Sequence, residues 1–188
     1  MIFISRKKIS IGVRTKIVLI IVFVFLVSSF GAYKTFIFLS ENRMLSVYSD
    51  LTGKMGYSSR QLVKAIALGV EDEIISSIGT FEFSLTTLMN GSRELEILPI
   101  PEEFKTEYEG VQRRWEKLKR GVLESIKPKS KLDKDDLETI KALNEISLDI
   151  VNKVNLINAR LSQYAKMKFD AFIRFIILTV LVSLIFTL

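Results

Sequence analysis

Residues 17–38 read IVLIIVFVFLVSSFGAYKTFIF, and this stretch decides how the rest of the chain is arranged. It is apolar apart from two serines, one threonine and a late lysine, Lys34. At a rise of about 1.5 Å per residue, about 20 apolar residues of helix cross a hydrocarbon core of roughly 30 Å. The stretch therefore predicts a transmembrane helix over residues 17–39.

The residues before this helix predict its orientation. Residues 1–16 carry Arg6, Lys7, Lys8, Arg14 and Lys16 and no acidic residue. An excess of Lys and Arg beside a span keeps that end in the cytoplasm. We therefore expect a cytoplasmic basic tail over residues 1–16 and an extracytoplasmic location from about residue 40 onward.

A cleaved signal peptide is the alternative interpretation of the same stretch. Such a signal has an apolar region of about 7–15 residues and ends in a small-residue cleavage site. Residues 28–32 offer a candidate site, but the apolar run before them is long. We therefore expect an uncleaved anchor.

The basic character of the chain comes from its ends. Of 27 basic residues, 20 lie between residues 40 and 170, together with all 21 acidic residues. The net charge of +6 therefore reflects membrane topology and gives no evidence for a nucleic-acid partner.

The chain has no Cys and no His. This excludes disulfides, thiolate metal sites, zinc hydrolase motifs and Ser-His-Asp triads within these residues. No glycine loop of the phosphate-binding type and no recognisable carboxylate motif is present either. We expect no enzymatic activity, no metal site and no cofactor in this chain; kinase or cyclase activity would belong to sequence beyond Leu188.

Helical spacing of apolar residues continues after the span. One pattern runs to about Gly69, where the segment from Gly69 to Glu73 predicts a break and a restart. A second pattern runs to about Asn90, and the Asn-Gly pair there is a helix-ending signal. We expect Gly53 and Gly56 to interrupt the first helix, at a cost of roughly 1 kcal/mol each relative to Ala. Their small size could instead allow two helices, or a ligand, to approach the backbone closely, and a tolerated local kink is the alternative.

The third pattern is the most amphipathic part of the chain. It begins at Glu102, after two prolines, and its apolar residues recur at spacings of three and four with charged residues on the other faces. We expect Trp115 to be part of the core, although a tryptophan can also line a pocket. The apolar residues of this pattern are Phe104, Tyr108, Val111, Trp115, Leu118, Val122 and Ile126.

A fourth pattern begins near Leu132 and Asp133 and shows no stop before the apolar end of the chain. The final apolar run, Phe175–Leu188, has 14 residues, or about 21 Å of helix, which is shorter than a hydrocarbon core. We therefore expect a second, truncated transmembrane helix over residues 171–188. Four amphipathic helices with short loops predict an all-α fold, an antiparallel four-helix bundle over residues 40–170 flanked by two transmembrane helices.

Three motifs in the predicted bundle occur in the order found in one family of sensor domains. Gly53–Lys64 reads GKMGYSSRQLVK and resembles that family's pattern G-R-x-R-M-x-S-x-R-x-x-K. Phe81–Gly91 reads FEFSLTTLMNG and is similar to the family's F-x-x-S-L-x-x-L-x-x-G. The third match is Trp115, in the helix after a proline-containing loop. In the first motif Gly53, Lys54, Ser59 and Lys64 match in kind, and Arg60 is one place off.

The family is the extracytoplasmic domain of nitrate-sensing histidine kinases and of the chemotaxis transducer linked to type IV pili. The resemblance covers roughly residues 40–170 and implies a four-helix sensor domain that binds a small anion. It departs from the family at Gly56, where the family has an anion-contacting arginine, and this argues against nitrate binding in the family's manner. Residues 43–46, RMLS, match part of the motif literally but lack its flanking residues.

The resemblance and the charges give one candidate site. We expect Lys54, Arg60 and Lys64 to supply positive charge to a small anionic ligand held between two protomers. The motif adds Gly53 and Ser59 as ligand-binding candidates. The alternative is that the three basic residues are solvated residues of a helix surface.

We expect the chain to be the ligand-sensing and transmembrane portion of a bacterial signal-transduction receptor, of the histidine kinase or chemoreceptor type. It would form a homodimer in the cytoplasmic membrane, as a multi-pass protein with residues 40–170 outside. A small displacement of its last helix would reach a cytoplasmic output domain. The alternative is a two-span scaffold protein of a pilus, secretion or division complex.

Overall fold

The computed structural model describes residues 12–125 and 134–187. These residues form four α-helices and no β-strand, which confirms the predicted all-α class. Most of the basic tail, Ile126 and the predicted break at Pro128 lie outside the described residues. The helices are α1 (Val13–Leu68), α2 (Glu71–Asn90), α3 (Glu102–Ser125) and α4 (Lys134–Thr187).

Glycines end the first two helices, as predicted. Gly69 follows α1 with φ +70°, and Gly91 follows α2 with φ +77°. The Gly91 N–H donates to the Thr87 carbonyl at 2.9 Å. A Cβ at residue 91 would lie 2.9 Å from both the Ile97 carbonyl oxygen and the Pro99 nitrogen, so this turn has room only for glycine.

The expected interruption of α1 at Gly53 and Gly56 is wrong, because the helix runs through both positions. A glycine costs roughly 1 kcal/mol relative to Ala in a helix, which is small beside the burial of neighbouring apolar side chains. Leu51, Met55 and Leu62 are all buried around this stretch. Tertiary packing therefore maintains the helix through the two glycines.

The chain divides into two compact units. One contains residues 41–166, and the other contains residues 1–40 together with residues 167–188. Both α1 and α4 contribute residues to each unit without a break in the helix.

All four helices contribute to the core of the 41–166 unit. The predicted stripe of α3 is buried from Phe104 to Val122, and Trp115 is fully buried. The Trp115 ring stacks on Phe81 of α2, with 3.7 Å between centroids and 8° between planes. The expectation that Trp115 belongs to the core is therefore confirmed.

Polar contacts between helices show which residues lie opposite each other in this unit. Between α1 and α4, the Ser49 hydroxyl donates to Asn158 Oδ1 at 3.2 Å, and ten residues later Ser59 pairs with Ser147 at 3.5 Å. In these two contacts, a higher residue number in α1 therefore pairs with a lower residue number in α4. The same descending order holds between α3 and α4, where ion pairs join Glu107 to Arg160 and Arg114 to Asp149.

The other unit is held by aromatic contacts between its two helical segments. Phe38 of α1 stacks on Phe172 of α4 with 4.2 Å between centroids, and Phe30 meets Phe175 edge-on at 5.6 Å. Within the described part of the chain, α1 is the one helix long and apolar enough to cross a membrane, with a window of mean hydropathy 2.3. The second span, over residues 171–188, stays a prediction.

Candidate ligand-binding site

The basic residues of the candidate site lie on the exposed side of α1. Lys54 Nζ pairs with Asp50 Oδ2 at 2.8 Å, one turn earlier on the same helix. Arg60 and Lys64 are one turn apart and make no ion pair with any described residue. Two cations of this site therefore have no partner within the described chain.

Ser59 and Gly53 do not join these cations. Ser59 is fully buried, and its hydroxyl donates to the Gly56 carbonyl at 2.9 Å while facing Ser147 of α4. Gly53 is exposed, and a Cβ there would meet nothing within 4 Å. Within one protomer the five predicted residues are therefore divided between the core and the surface, and an anion shared by two protomers stays a prediction.

Gly56, where the resembling motif has an arginine, has close surroundings in this structure. It is buried at the contact between α1 and α4, where a Cβ would lie 3.2 Å from Val154 Cγ1. An arginine side chain at residue 56 would have to displace Val154 and place a charge in the core. The 41–166 unit therefore has no room for an arginine at residue 56.

An open cleft of about 470 Å³ lies between α1 and α2 in the 41–166 unit. Lys64 lines its α1 wall, and Asp72 and Glu73 from the first turn of α2 line the other. None of these three side chains makes an ion pair with a described residue. The cleft therefore presents opposite charges that are not paired with each other.

Hydroxyl groups also line the cleft. Ser58 is 2% exposed and Ser77 is 7% exposed, yet neither hydroxyl hydrogen-bonds to a described residue. By contrast, Ser59 and Ser84 donate to carbonyls of their own helices. The Tyr57 hydroxyl at the rim accepts from Gln61 Nε2 at 2.7 Å.

Of the residues that line the cleft, Lys64 is the one predicted to bind a ligand. The segment from Gly69 to Glu73 was predicted to be a break and a restart, and α2 does begin there, at Glu71. The signal that could have revealed the cleft is the run of hydroxyl residues Ser76, Ser77 and Thr80 on α2, together with Ser58 on α1. Among the described residues, no group of three or more carboxylates could hold a metal ion.

Comparison with known proteins identifies no relative. No protein-family model, curated protein or solved structure matches the chain. A functional proposal therefore depends on the motifs quoted above and on the geometry of the described residues.

Proposed function

We propose that this chain is the ligand-sensing and membrane-anchoring portion of a bacterial signal-transduction receptor. The observation that carries the proposal is that α1 and α4 each belong to both compact units without a break. An unbroken helix transmits a small displacement along its length, which is the usual means of signalling in such receptors. The residues of this chain take no catalytic part; a kinase, chemotaxis signalling domain or cyclase would follow Leu188.

The sensing portion in this proposal is an antiparallel four-helix bundle formed by the 41–166 unit. Its support is the descending order of the contacts that α4 makes with α1 and with α3. A ligand that favours one packing of these helices would move α4 by about 1–2 Å.

The anchoring portion consists of two spans in the cytoplasmic membrane. The first is α1 over residues 17–39, with the basic tail in the cytoplasm. The second is the end of α4, over residues 171–188. Its support is the helix contact in the smaller unit, where Phe rings pack and where Ser28, Ala32, Thr179 and Ser183 line a shared cavity. Small residues at such spacing are typical of helix contacts in membranes.

The receptor would act as a parallel homodimer in which the α1 helices face each other. Gly53 supports this arrangement, since it leaves the exposed side of α1 open to a close neighbour. Arg60 and Lys64 would then contribute positive charge near the contact between protomers.

A two-span scaffold protein is the second candidate function. Exposed apolar side chains on α2 favour it, because Ile75 is 69% exposed and Phe83 is 56% exposed. Such residues on the surface of a helix are suited to a contact with a partner protein.

Reading the gene beyond the codon for Leu188 separates the two candidates. A receptor requires an open reading frame that continues through basic residues into a cytoplasmic signalling domain. A stop within a few codons would overturn the receptor proposal and favour the scaffold.

A further inference from the structure

We propose that the cleft between α1 and α2 binds a small zwitterionic molecule of the chemical class of free α-amino acids. This ligand differs from the anion expected between protomers, and the cleft lies within one protomer. That the ligand acts as a signal rests on the proposed function; that it binds rests on the cleft alone.

The charges of the cleft define the ligand class. Lys64 offers an ammonium group on the α1 wall, and Asp72 and Glu73 offer carboxylates on the α2 wall. A simple anion would face the two carboxylates, and a simple cation would leave Lys64 without a partner. A molecule that carries a carboxylate and an ammonium group satisfies both walls at once.

Only two of the three acidic residues at the start of α2 line the cleft. Glu71, Asp72 and Glu73 all belong to the first turn of α2, where acidic side chains are favoured by the helix dipole. Glu71 does not line the cleft, whereas Asp72 and Glu73 do. Glu71 therefore provides a control for the general effect of charge at this helix end.

The serines that line the cleft are an observation independent of its charges. Ser58 and Ser77 are each more than nine-tenths buried, line the cleft and hydrogen-bond to no described residue. A helix offers a buried serine a carbonyl one turn earlier, and Ser84 uses it at 2.8 Å. Among the described residues only Trp115 Nε1 is a fully enclosed polar side-chain atom without a partner, so the two serine oxygens keep some accessible surface. Because both serines line the cleft, their hydroxyls are available there to the polar groups of a ligand.

The dimensions of the cleft agree with a small ligand. Its volume of about 470 Å³ lies at the lower end of the range of small-molecule sites. Because its walls belong to different helices, a bound zwitterion would connect α1 to α2 through its two charges. Binding would therefore favour one spacing of these helices over others.

Isothermal titration calorimetry on the full chain in nanodiscs tests this inference. The probes are the twenty common amino acids at up to 10 mM, with acetate and methylammonium as compounds that carry only one of the two charges. We expect at least one amino acid to bind and neither single-charge compound to match it. Lys64→Ala and the double variant Asp72→Asn, Glu73→Gln should each weaken binding about tenfold or more, because each removes a charge-assisted hydrogen bond.

Control variants separate the cleft from the rest of the surface. Lys105→Ala and Glu71→Gln each remove a charge outside the cleft and should leave the affinity unchanged. The inference is overturned if no amino acid binds, if acetate binds as tightly as the amino acids, or if both cleft variants bind like the unaltered chain. If an amino acid binds but a stop codon follows Leu188, the receptor proposal is rejected and the ligand site in the cleft is supported. If the reading frame continues but no amino acid binds, the receptor proposal is supported and the ligand site in the cleft is rejected.

Discussion

Gly56 of α1 lies so close to Val154 of α4 that a Cβ at residue 56 would stand 3.2 Å from Val154 Cγ1. Three residues earlier, a Cβ at Gly53 would meet nothing within 4 Å. Two glycines of the same helix thus have opposite surroundings, one at a helix contact and one facing open space.

Alanine at these two positions should therefore change stability in different ways. Gly53→Ala should raise the free energy of unfolding by up to about 1 kcal/mol, through helix propensity alone. Gly56→Ala gains the same term but overpacks the contact with Val154, which costs about 1–3 kcal/mol. We expect Gly53→Ala to be the more stable variant in denaturant unfolding of the full chain in detergent, followed by Trp115 fluorescence. Equal stabilities would show that α1 does not approach α4 closely at Gly56.

Glycines at the helix ends give a second comparison. Both Gly69 and Gly91 have positive φ, but a Cβ at Gly69 would meet nothing within 4 Å, while one at Gly91 would collide with the backbone of the α2–α3 loop. Gly69→Ala should cost about 1–2 kcal/mol in backbone strain. Gly91→Ala should cost more, because backbone atoms 2.9 Å away must also move. Denaturant unfolding of the two variants checks this order, and a smaller loss for Gly91→Ala would contradict it.

Trp115 combines a large buried ring with an unsatisfied donor. Its Nε1 has no hydrogen-bond partner among the described residues, although the ring is fully buried. Trp115→Ala should cost about 3–5 kcal/mol through lost burial and the cavity left behind. Trp115→Phe should cost clearly less, since phenylalanine keeps a ring to stack on Phe81 and leaves no buried donor unpaired. Unfolding followed by far-UV circular dichroism measures both, and equal losses would contradict this description of the core.

Tyr108 predicts how stability depends on alkaline pH. Burial raises the pKa of Tyr108 well above its usual value, more than its hydrogen bond with Thr52 lowers that pKa. The unfolded chain therefore loses this proton at about pH 10, before the folded chain does. The contribution of Tyr108 to the free energy of unfolding is therefore fully present below about pH 10. It decreases as the pH rises further, by up to about 1.4 kcal/mol per pH unit.

Phenylalanine variants test the assignment of this pH dependence. Tyr108→Phe should reduce the alkaline loss of stability, whereas Tyr57→Phe, at an exposed position, should leave it unchanged. Some loss should remain in Tyr108→Phe, because burial also raises the pKa of Tyr48. An unaltered slope in Tyr108→Phe would assign the effect to another group.

The sequence predicted the helices well because their signals are local. The ends of α1 and α2 follow from Gly69 and Gly91, and the buried face of α3 follows from apolar residues at spacings of three and four. Contacts between helices could not be predicted from local sequence patterns in the same way. Among the described glycines, Gly121 is the one whose added Cβ would come closest to another helix, at 2.7 Å from Leu143 Cδ2, and no local pattern marks this glycine.

The arrangement of the candidate site could not be predicted from local sequence patterns either. Lys54, Ser59 and Lys64 are close in sequence, but Ser59 is buried while the two lysines are exposed. The cleft joins Lys64 to Asp72 and Glu73 only because α2 folds back against α1 after Gly69. Likewise Ile75 and Phe83 belong to the apolar spacing of α2 and are nevertheless exposed, because no described residue covers them.

Thiol labelling in intact spheroplasts tests most directly whether residues 41–166 lie outside the cytoplasm, as the proposed receptor requires. The chain has no cysteine, so a single introduced cysteine reports on one position. We predict that a membrane-impermeant maleimide labels the Tyr57→Cys variant without permeabilisation, because Tyr57 is 65% exposed in that unit. The Ser10→Cys variant, in the basic tail, should react only after the membrane is permeabilised. Labelling of Ser10→Cys but not Tyr57→Cys in intact spheroplasts would contradict the proposed topology and the receptor that depends on it.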